Sequence, residues 1–366
     1  MDGSLGAIDT PALVIDLDIA DANLRRMQRR ADALGLDLWP HTKTHKLPML
    51  AHAQIESGAR GLTVAKLGEA EVLSAAGLKS IFIHYPILGE AKTARLASLL
   101  GGGTAVRIAL DSVEAADAAS TAAMRAGASV DVLVEVDTGG HRVGRQPGAP
   151  VAELAGYVAG RPGLRFAGLT SFAGHISGAP TEDARLEILR LEGEALADSK
   201  VACEAAGLPV GVVSVGGTHH AARMEQIPLA TEVRPGTYVY NDRNILASGS
   251  CTLDECAATV LVTVVSRNAD WAVVDGGSKT FSSDPSRLDG GFGVAVDFPG
   301  LVVAWCNEEH GVVTWPAGQD GPRVGQRLRI LPNHACTTVN MHNEVVTVRG
   351  GVVVETVPVA SRGFLR

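Results

Sequence analysis

The sequence of 366 residues has no excess of positive charge, no long apolar segment and few cysteines. Lysine and arginine number 32 against 40 acidic residues, which gives a net charge of −8. This balance, without a basic cluster, argues against a nucleic-acid partner. Apolar runs such as CAATVLVTVVS are too short to span a bilayer, so no membrane partner is predicted. Five cysteines without regular spacing argue against a disulfide framework.

The first residues, MDGSLGAIDTP, lack the cationic and apolar stretches of a signal peptide, so a cytoplasmic protein is expected. Aromatic residues make up only 4% of the chain, whereas hydrophobic residues make up 46% and charged residues 20%. This composition is typical of a globular protein without general disorder, and the length allows more than one domain.

Helical and extended patterns alternate between about residues 18 and 243. Eight apolar extended runs are separated by helical segments; they are LDLW, GLTVA, SIFIHY, AVRIAL, VDVLVEVD, RFAGLTSF, VGVVSVGG and ATEVRPGTYVY. Apolar strands with helical crossovers are typical of a parallel sheet covered on both faces. Eight such units predict a closed (β/α)8 TIM-type barrel over residues 18–243. An open doubly wound sheet is the alternative, although no G-x-G-x-x-G motif follows the first strand.

After about residue 245 the helical pattern ends, and short valine-rich runs such as WAVVDGG and GVVTW take its place. They predict an antiparallel β domain over residues 244–366. The glycine pair at 350–351 separates two valine-rich runs and predicts a tight hairpin. The early run ALVID can join this domain, so we assign residues 1–17 to it as well.

The segment WPHTKTHK (residues 39–46) follows the first barrel strand, on the side where barrel enzymes place catalytic groups. At the barrel mouth, shielded and near other cations, Lys43 would have a lowered pKa and could form a Schiff base with a carbonyl group. A solvated lysine loop is the common alternative. A metal site at His41 and His45 is a third possibility, but Pro40 and the preceding strand disfavour the helix that this spacing suits.

Three further loops follow predicted barrel strands. In SVGGT, from Ser214 to Thr218, paired glycines let backbone amides approach an anion at the start of a helix. The motif EVDTGGHRVG places Arg142 in a glycine-rich loop, and VRPGTYVYND adds Arg234 and Tyr238 near the last barrel unit. Each motif alone is also compatible with an ordinary turn or a surface arginine.

In the β domain, the segment PNHAC contains His334 and Cys336. If this segment is extended, both side chains point to the same face, because strand side chains repeat every two residues. Imidazole and thiolate together suit a borderline-soft ion such as zinc, and two protein ligands leave positions for water or substrate. A buried cysteine beside an incidental histidine is the alternative.

Taken in order, these motifs are more specific than any one of them. The succession PHTKTHK, EVDTGGHRVG, SVGGT, VRPGTYVYND, DGGSKTFSSD, EEHG and PNHAC resembles the D-threonine aldolase / D-serine dehydratase family over nearly the whole chain. Family members are fold-type III pyridoxal-phosphate (PLP) enzymes, distantly related to alanine racemase. The resemblance implies an N-terminal barrel, a C-terminal β domain and a homodimer with sites near the domain and subunit junctions.

The resemblance also implies roles for the motif residues. Lys43 would hold pyridoxal 5′-phosphate as a Schiff base, and Arg142 would lie near the cofactor's phenolic oxygen. Arg234 matches the position that faces the pyridine nitrogen in alanine racemase-like proteins, where the aldolases and dehydratases tend to have a neutral side chain. An arginine there would keep the nitrogen unprotonated and weaken the cofactor as an electron sink. The residues implied to hold the phosphate are Ser214, Gly216, Gly217 and Thr218, with help from Tyr238.

By the same resemblance, His334 and Cys336 would bind a divalent metal (zinc, manganese or magnesium) next to the β-hydroxyl of a D-3-hydroxy amino acid. Loss of the hydroxyl proton would break the Cα–Cβ bond and give glycine and an aldehyde, whereas loss of the α-proton to Lys43 would lead to dehydration. His175 follows a barrel strand and is a candidate acid or base, with a structural hydrogen bond as the alternative role.

The choice between the two reactions depends on motifs that point in different directions. The His-x-Cys spacing is typical of D-serine dehydratases, but VRPGTYVYND and DGGSKTFSSD favour the aldolase-like branch, which we expect. The His-x-Cys pair disfavours an amino-acid racemase, since racemisation needs no metal. The C-terminal β domain disfavours a non-catalytic cofactor carrier. A barrel metallohydrolase using His41 and His45 is a further alternative. We therefore predict a PLP- and metal-dependent lyase of D-3-hydroxy amino acids.

Overall fold

The computed structural model describes residues 5–286 and 290–366, and helices alternate with strands in its first two thirds. The helices of this part are α1 (Leu17–Ala33), α2 (Pro48–Glu56), α3 (Leu67–Ala75), α4 (Glu90–Gly101), α5 (Val113–Ala126), α6 (Ala149–Ala159), α7 (Glu182–Ala205), α8 (Thr218–Ala221) and α9 (Arg243–Ala247). The strands are β1 (Ala12–Asp16), β2 (Asp37–Leu38), β3 (Leu62–Val64), β4 (Ser80–Ile83), β5 (Ala105–Leu110), β6 (Val130–Val136), β7 (Leu164–Ser171), β8 (Val212–Gly216) and β9 (Glu232–Arg234).

Strands β2 to β9 form a parallel sheet of eight strands in the described part of the chain, in the order β2-β9-β8-β7-β6-β5-β4-β3. The two end strands meet just beyond β2, where His41 and Thr63 form a parallel bridge. Thr63 N donates to Pro40 O, and Thr42 N donates to Thr63 O, each at 2.8 Å. These bonds close the sheet, so the predicted (β/α)8 barrel is confirmed, and each of the eight predicted runs contains or overlaps one strand.

The barrel core is built from apolar side chains on strands that are covered on both faces. Val132, Val134 and Val136 of β6 are almost fully buried and pack with residues of the surrounding helices. Burial of each such side chain stabilises the fold by about 1.5–3 kcal/mol. The core therefore fixes the strands, while the residues just after their carboxyl ends are available for a site.

The C-terminal part contains β10 (Ala258–Arg267), β11 (Trp271–Val274), β12 (Gly293–Ala295), β13 (Val302–Cys306), β14 (Gly311–Thr314), β15 (Arg327–Pro332), β16 (Glu344–Arg349) and β17 (Val352–Pro358). Two short helices interrupt them, α10 (Ser278–Phe281) and α11 (Ala335–Met341). The predicted loss of helical structure after residue 245 is thus wrong at these two places. Both helices are short, with four and seven residues, so they leave little periodic signal in the sequence.

The C-terminal strands and β1 form a mainly antiparallel sheet of nine strands within the described residues. Strand β11 also pairs with β10, so β10, β11, β14, β13, β12 and β15 form a closed ring. Strand β1, which contains ALVID, lies between β10 and β16. Strands β16 and β17 form the predicted hairpin, whose turn residues Gly350 and Gly351 have φ of 57° and 75°.

The chain folds into two compact units. One, which we call the β unit, comprises the residues up to Arg25, Thr44–Leu47 and Thr237–Gly363. The other, the barrel unit, comprises Arg26–Lys43, Pro48–Gly236 and Phe364–Arg366. In the described ranges, we find no helix with both the length and the apolar character that crossing a membrane requires.

Candidate active site

Lys43 lies in the barrel unit at the carboxyl end of β2, within a turn that follows the bridge at His41. Its side chain is half-buried, and Nζ lies 5.7 Å from the ring centroid of Phe172, the residue after β7. Residues 42–45 form a turn and not a helix, so the helical spacing assumed for a metal site at His41 and His45 is absent. The structure thus places Lys43 where the barrel argument put it.

Arg142 reaches the same aromatic ring from the loop after β6. Its guanidinium carbon lies 4.6 Å from the Phe172 centroid, and Nη2 lies 3.6 Å from Glu135 Oε1. The carboxylate of Asp137 shapes this loop by accepting from the backbone N–H groups of Gly139 and His141, both at 3.0 Å. Arg142 and Lys43 therefore both lie against Phe172, although their motifs are about 100 residues apart in the sequence.

Three buried titratable groups lie among these cations, and burial dominates their pKa values. Burial lowers the pKa of His41 well below its usual value, and the positive charge of Lys43 lowers it further. Burial, with Arg234 as the next cause, does the same to His84. Burial raises the pKa of Glu135 to about 7, although nearby arginines oppose the rise. Both imidazoles are therefore neutral, and Glu135 titrates near neutral pH.

Arg234 is almost completely buried at the end of β9. It donates to the hydroxyl of Ser214 and, at 2.7 Å, to the carbonyl oxygen of Ser171, and its Nη2 lies 3.2 Å from Nε2 of His84. Burial lowers the pKa of Arg234 to about 10, against the effect of nearby glutamates. Arg234 stays charged at neutral pH and joins the ends of β7, β8 and β9.

The glycine turn of the SVGGT motif connects β8 to α8, as predicted. Gly217 has a φ of 100°, which side-chain-bearing residues rarely adopt. A Cβ on Gly216 would lie 2.8 Å from Phe172 Cδ2, and one on Gly217 would lie 3.1 Å from His220 Nδ1. The two glycines therefore let another group come close to the backbone of this turn. The backbone amides of such a turn fit a phosphate group.

Next to this turn, Glu192, Ser171 and His220 form a hydrogen-bonded group that the sequence motifs did not identify. Glu192, on α7, accepts from the hydroxyl of Ser171 at 2.6 Å and contacts His220 Nε2 at 2.8 Å. The imidazole of His220 stacks on the Phe172 ring, with centroids 6.2 Å apart. Burial would raise the pKa of Glu192, but His220, Ser171 and the Ala173 backbone outweigh it and lower that pKa. Glu192 is therefore a buried carboxylate.

His334 and Cys336 lie together in the β unit, but in a different local structure from the one expected. The segment is not an extended strand: His334 is the residue before α11, and Cys336 lies in the first turn of that helix. The Asp242 carboxylate accepts from Ala335 N at 3.0 Å and so helps to fix the start of the helix. The start of helix α11 brings the two side chains together. No periodic pattern in the sequence predicts this local structure.

The surroundings of this pair suit a divalent metal. Asp284 Oδ2 lies 3.0 Å from His334 Nδ1, a carboxylate–imidazole contact of the kind that orients metal-binding histidines. Thr44 Oγ1 lies 3.2 Å from Cys336 Sγ. Burial alone would lower the pKa of His334, but the hydrogen-bonded Cys336 thiolate and two carboxylates raise it to about 10. Removing such a proton is part of metal binding to imidazole.

The number of metal-binding side chains at His334 and Cys336 limits the kind of metal site that they can form. Among residues 5–286 and 290–366, no three His, Cys, Asp or Glu side chains form a group that could hold a metal ion. His334 and Cys336 are therefore a pair, and a metal bound by them would keep positions for water or a substrate oxygen. An imidazole and a thiolate fit zinc best, while a hard ion such as magnesium prefers oxygen donors.

Tyr238 and His175 are the two remaining predicted residues. Tyr238 is buried in a single 3-10 turn of the β unit, Thr237–Val239. His175 lies in the barrel unit in the turn Gly174–Gly178, where its side chain is exposed and packs next to Gly140. The roles predicted for Tyr238 and His175 stay predictions.

Sequence reasoning missed four residues that the structure brings to these groups: His84, Glu135, Glu192 and Asp284. His84 and Glu135 lie at or near the carboxyl ends of β4 and β6, so strand position could have found them. Asp284 closes the DGGSKTFSSD motif, in which no role was given to it. Glu192 lies in the middle of α7, where a glutamate is ordinarily exposed to solvent, and nothing in the sequence marks it.

Comparison with known proteins gives matches along the whole chain. The alanine racemase N-terminal domain family matches residues 15–244, and the putative serine dehydratase domain family matches residues 257–348. The chain is 35% identical to a D-threonine aldolase of an Arthrobacter species, over 99% of this chain and 95% of that protein. It is 36% identical to a D-threo-3-hydroxyaspartate dehydratase of Delftia sp. strain HT23, over 92% and 93%.

Solved structures show the same likeness. The crystal structure of D-threonine aldolase from Filomicrobium marinum has a TM-score of 0.92 and 33% identity, and covers 100% of this chain and 99% of that one. A cysteine-to-alanine variant of D-threo-3-hydroxyaspartate dehydratase, in the metal-free form, has a TM-score of 0.88 and 34% identity. That match covers 97% of this chain and 98% of that one.

Proposed function

Since the chain belongs to the alanine racemase-like family that includes D-threonine aldolase and D-serine dehydratase, we propose that it cleaves D-3-hydroxy amino acids such as D-threonine into glycine and an aldehyde. The family implies PLP as the cofactor. The observation that carries the proposal is the position of Lys43, which lies at a barrel strand end against Phe172 and shares that ring with Arg142.

The barrel unit offers groups that match the parts of PLP. Lys43 would bind its aldehyde carbon, the turn of Gly216 and Gly217 would approach its phosphate, and Arg142 would lie near its phenolic oxygen. We propose that Ser214 and Thr218 assist at the phosphate. When bound, PLP stabilises negative charge at the substrate's α-carbon. Arg234 carries a positive charge that burial does not remove at neutral pH, so it would disfavour a proton on the pyridine nitrogen if it faces that atom.

The chain's own groups then determine where protons go. The Lys43 amine can accept and return a proton at the α-carbon. The carboxyl of Glu135, whose pKa is raised to about 7, can exchange a proton near neutral pH. His41 and His84 stay neutral next to the cations, so they can donate or accept a hydrogen bond without adding charge.

In the β unit, we propose that His334 and Cys336 hold a divalent cation, which supplies Lewis-acid activation of the substrate's 3-hydroxyl. Support comes from the imidazole–thiolate donor set and from Asp284, which contacts His334. We propose that His175 takes the proton of the 3-hydroxyl, and a His175→Asn variant is the direct test. Tyr238 is proposed as a further cofactor contact.

A second candidate reaction is dehydration of the same substrates to an oxo acid and ammonia. The observation that favours it is the His-x-Cys spacing of the metal pair, together with 36% identity to a 3-hydroxyaspartate dehydratase. Both reactions begin from the same bound substrate and differ in the bond that breaks. We prefer the aldolase reaction because the VRPGTYVYND and DGGSKTFSSD motifs resemble the aldolase-like branch.

Product analysis tests the proposal. The purified protein would be supplied with PLP and Zn²⁺ or Mn²⁺, and given D-threonine, D-serine or D-threo-3-hydroxyaspartate, with EDTA and Lys43→Ala as controls. Glycine with acetaldehyde from D-threonine, or with glyoxylate from 3-hydroxyaspartate, supports the aldolase. Release of ammonia with 2-oxobutanoate, pyruvate or oxaloacetate supports the dehydratase and refutes the aldolase. Sedimentation analysis of the same sample tests the proposed homodimer.

A further inference from the structure

His220 and Glu192 form a buried pair to which the proposed reaction gives no role. The side chains of His220 and Glu192 are 1% and 0% exposed, and His220 Nε2 lies 2.8 Å from Glu192 Oε2. One residue comes from α8 and the other from the middle of α7. Burying a carboxylate is costly unless hydrogen bonds compensate for the lost water, so this pair needs a physical explanation.

The carboxylate of Glu192 is well supplied with donors. The hydroxyl of Ser171 donates at 2.6 Å, the backbone N–H of Ala173 donates as well, and His220 supplies the third contact. These donors lower the pKa of Glu192 despite burial, so the group is a carboxylate and can only accept hydrogen bonds. His220 must therefore carry its proton on Nε2 and donate it to Glu192.

The other ring nitrogen, Nδ1, is buried and has no hydrogen-bond partner among the residues that the structure describes. Leaving such an atom without a hydrogen bond destabilises the folded state, so natural proteins rarely do it without a reason. Nδ1 faces the glycine turn: it is the atom nearest to where a Cβ on Gly217 would lie, at 3.1 Å. The absence of a side chain at Gly217 is what allows Nδ1 to lie this close to the turn.

We propose that His220 binds the phosphate group of PLP through Nδ1–H at the Gly216–Gly217 turn, and that Glu192 positions the imidazole through Nε2–H. This inference rests on the proposed function, because it assigns the phosphate to this turn. With hydrogens on both nitrogens, the imidazole is a cation, which a dianionic phosphate on one side and a carboxylate on the other both stabilise. Ser171 and Phe172 hold the pair in place by a hydrogen bond and by ring stacking.

Two substitutions at position 220 separate the two ring nitrogens. In His220→Gln the amide reaches the position of Nε2 and keeps a contact to Glu192, but nothing replaces Nδ1. In His220→Asn the amide reaches the position of Nδ1 and the contact to Glu192 is lost. If Nδ1 is the phosphate donor, Gln should be the more damaging replacement for phosphate binding, and Asn should restore part of it.

The experiment compares PLP with pyridoxal, which lacks the phosphate, by titration of the full-length cofactor-free protein and its variants. We expect H220Q to weaken PLP binding about 10- to 100-fold, the range for loss of a charge-assisted hydrogen bond, and to change pyridoxal binding less than about threefold. An equal effect on both ligands, or no effect on PLP, would overturn the proposal. Wild-type protein that binds neither ligand would refute the proposed function too, whereas PLP binding unaffected by H220Q would refute only this inference.

A measurement on the unsubstituted protein keeps the proposal testable if H220Q does not fold. In ¹⁵N-histidine NMR spectra of the PLP complex, one buried imidazole should show two protonated nitrogens, and the pyridoxal complex should lack this signature. Assignment would come from the disappearance of the signal in H220N. A PLP complex in which Nδ1 of His220 carries no proton would refute the proposal.

Discussion

The carboxylate of Glu135 lies 3.7 Å from Nε2 of His84, and the two side chains are only 3% and 5% exposed. Burial raises the pKa of the carboxyl to about 7 and lowers that of the imidazole well below its usual value. Both shifts favour the neutral forms, so the contact is not a strong ion pair. The pair lies near the cations Arg142 and Arg234, which act to lower the pKa of Glu135 and so oppose the effect of burial.

Glu135→Gln should change how stability depends on pH. A carboxyl whose pKa rises from about 4.5 unfolded to about 7 folded favours the native state at low pH, and this contribution is lost as pH rises through 7. The loss is about 3 kcal/mol from the size of the shift. Urea unfolding of cofactor-free protein between pH 5 and pH 8 measures it. The variant should gain stability relative to wild type as pH rises, and parallel pH profiles would contradict the assignment.

Lys43→Ala should abolish activity and the visible absorbance of lysine-bound PLP, because no other group would then bind the aldehyde carbon covalently. Absorbance spectra after addition and removal of excess PLP provide the measurement. Lys200→Ala is a matched control, since Lys200 lies on α7 and pairs with Glu204. Retention of the wild-type spectrum in the Lys43 variant would place the covalent link at another lysine.

Cys336→Ala should lower the metal content and the activity, and should leave the PLP absorbance in place. The thiolate is one of two proposed ligands, so its loss should weaken metal binding at least tenfold. Elemental analysis after dialysis against limiting Zn²⁺ measures the content. Cys306→Ala is the control, because Cys306 is a half-buried thiol on β13 whose pKa burial raises to about 12. Equal metal content in the Cys336 variant and wild type would exclude this site.

Gly217→Ala should cost stability and PLP affinity together. Its φ of 100° disfavours a side chain by about 1–3 kcal/mol, and the new Cβ would press on His220 Nδ1. Gly207→Ala is the matched control: Gly207 also has a positive φ, 75°, but nothing lies within 4 Å of its added Cβ. Both variants should unfold at lower urea concentration, and only Gly217→Ala should bind PLP more weakly. Normal PLP affinity in that variant would argue against a phosphate at this turn.

The sequence predicted the barrel well because its strands are buried on both faces and read as continuous apolar runs. It also predicted that Lys43 and the glycine turn follow strand ends, since strand order alone brings those positions to one edge of a barrel. Glu192 could not be predicted, because its burial depends on the contacts of α7 with the end of β7 and with α8. The local structure of His334 and Cys336 was wrong for a related reason: the helix start depends on Asp242, more than 90 residues earlier.

Strand β1 has a consequence for how the molecule is made. Ala12 pairs with Leu261 and Val14 with Val346, so β1 must wait until partners much later in the chain have been synthesised. Contacts between segments so distant in sequence slow folding, because a large loop must close before they stabilise the chain. Strands β3 to β9 of the barrel each pair with the next strand in the chain, so they can form during that time. We therefore expect synthesis to produce an assembled barrel well before β1 takes its place between β10 and β16.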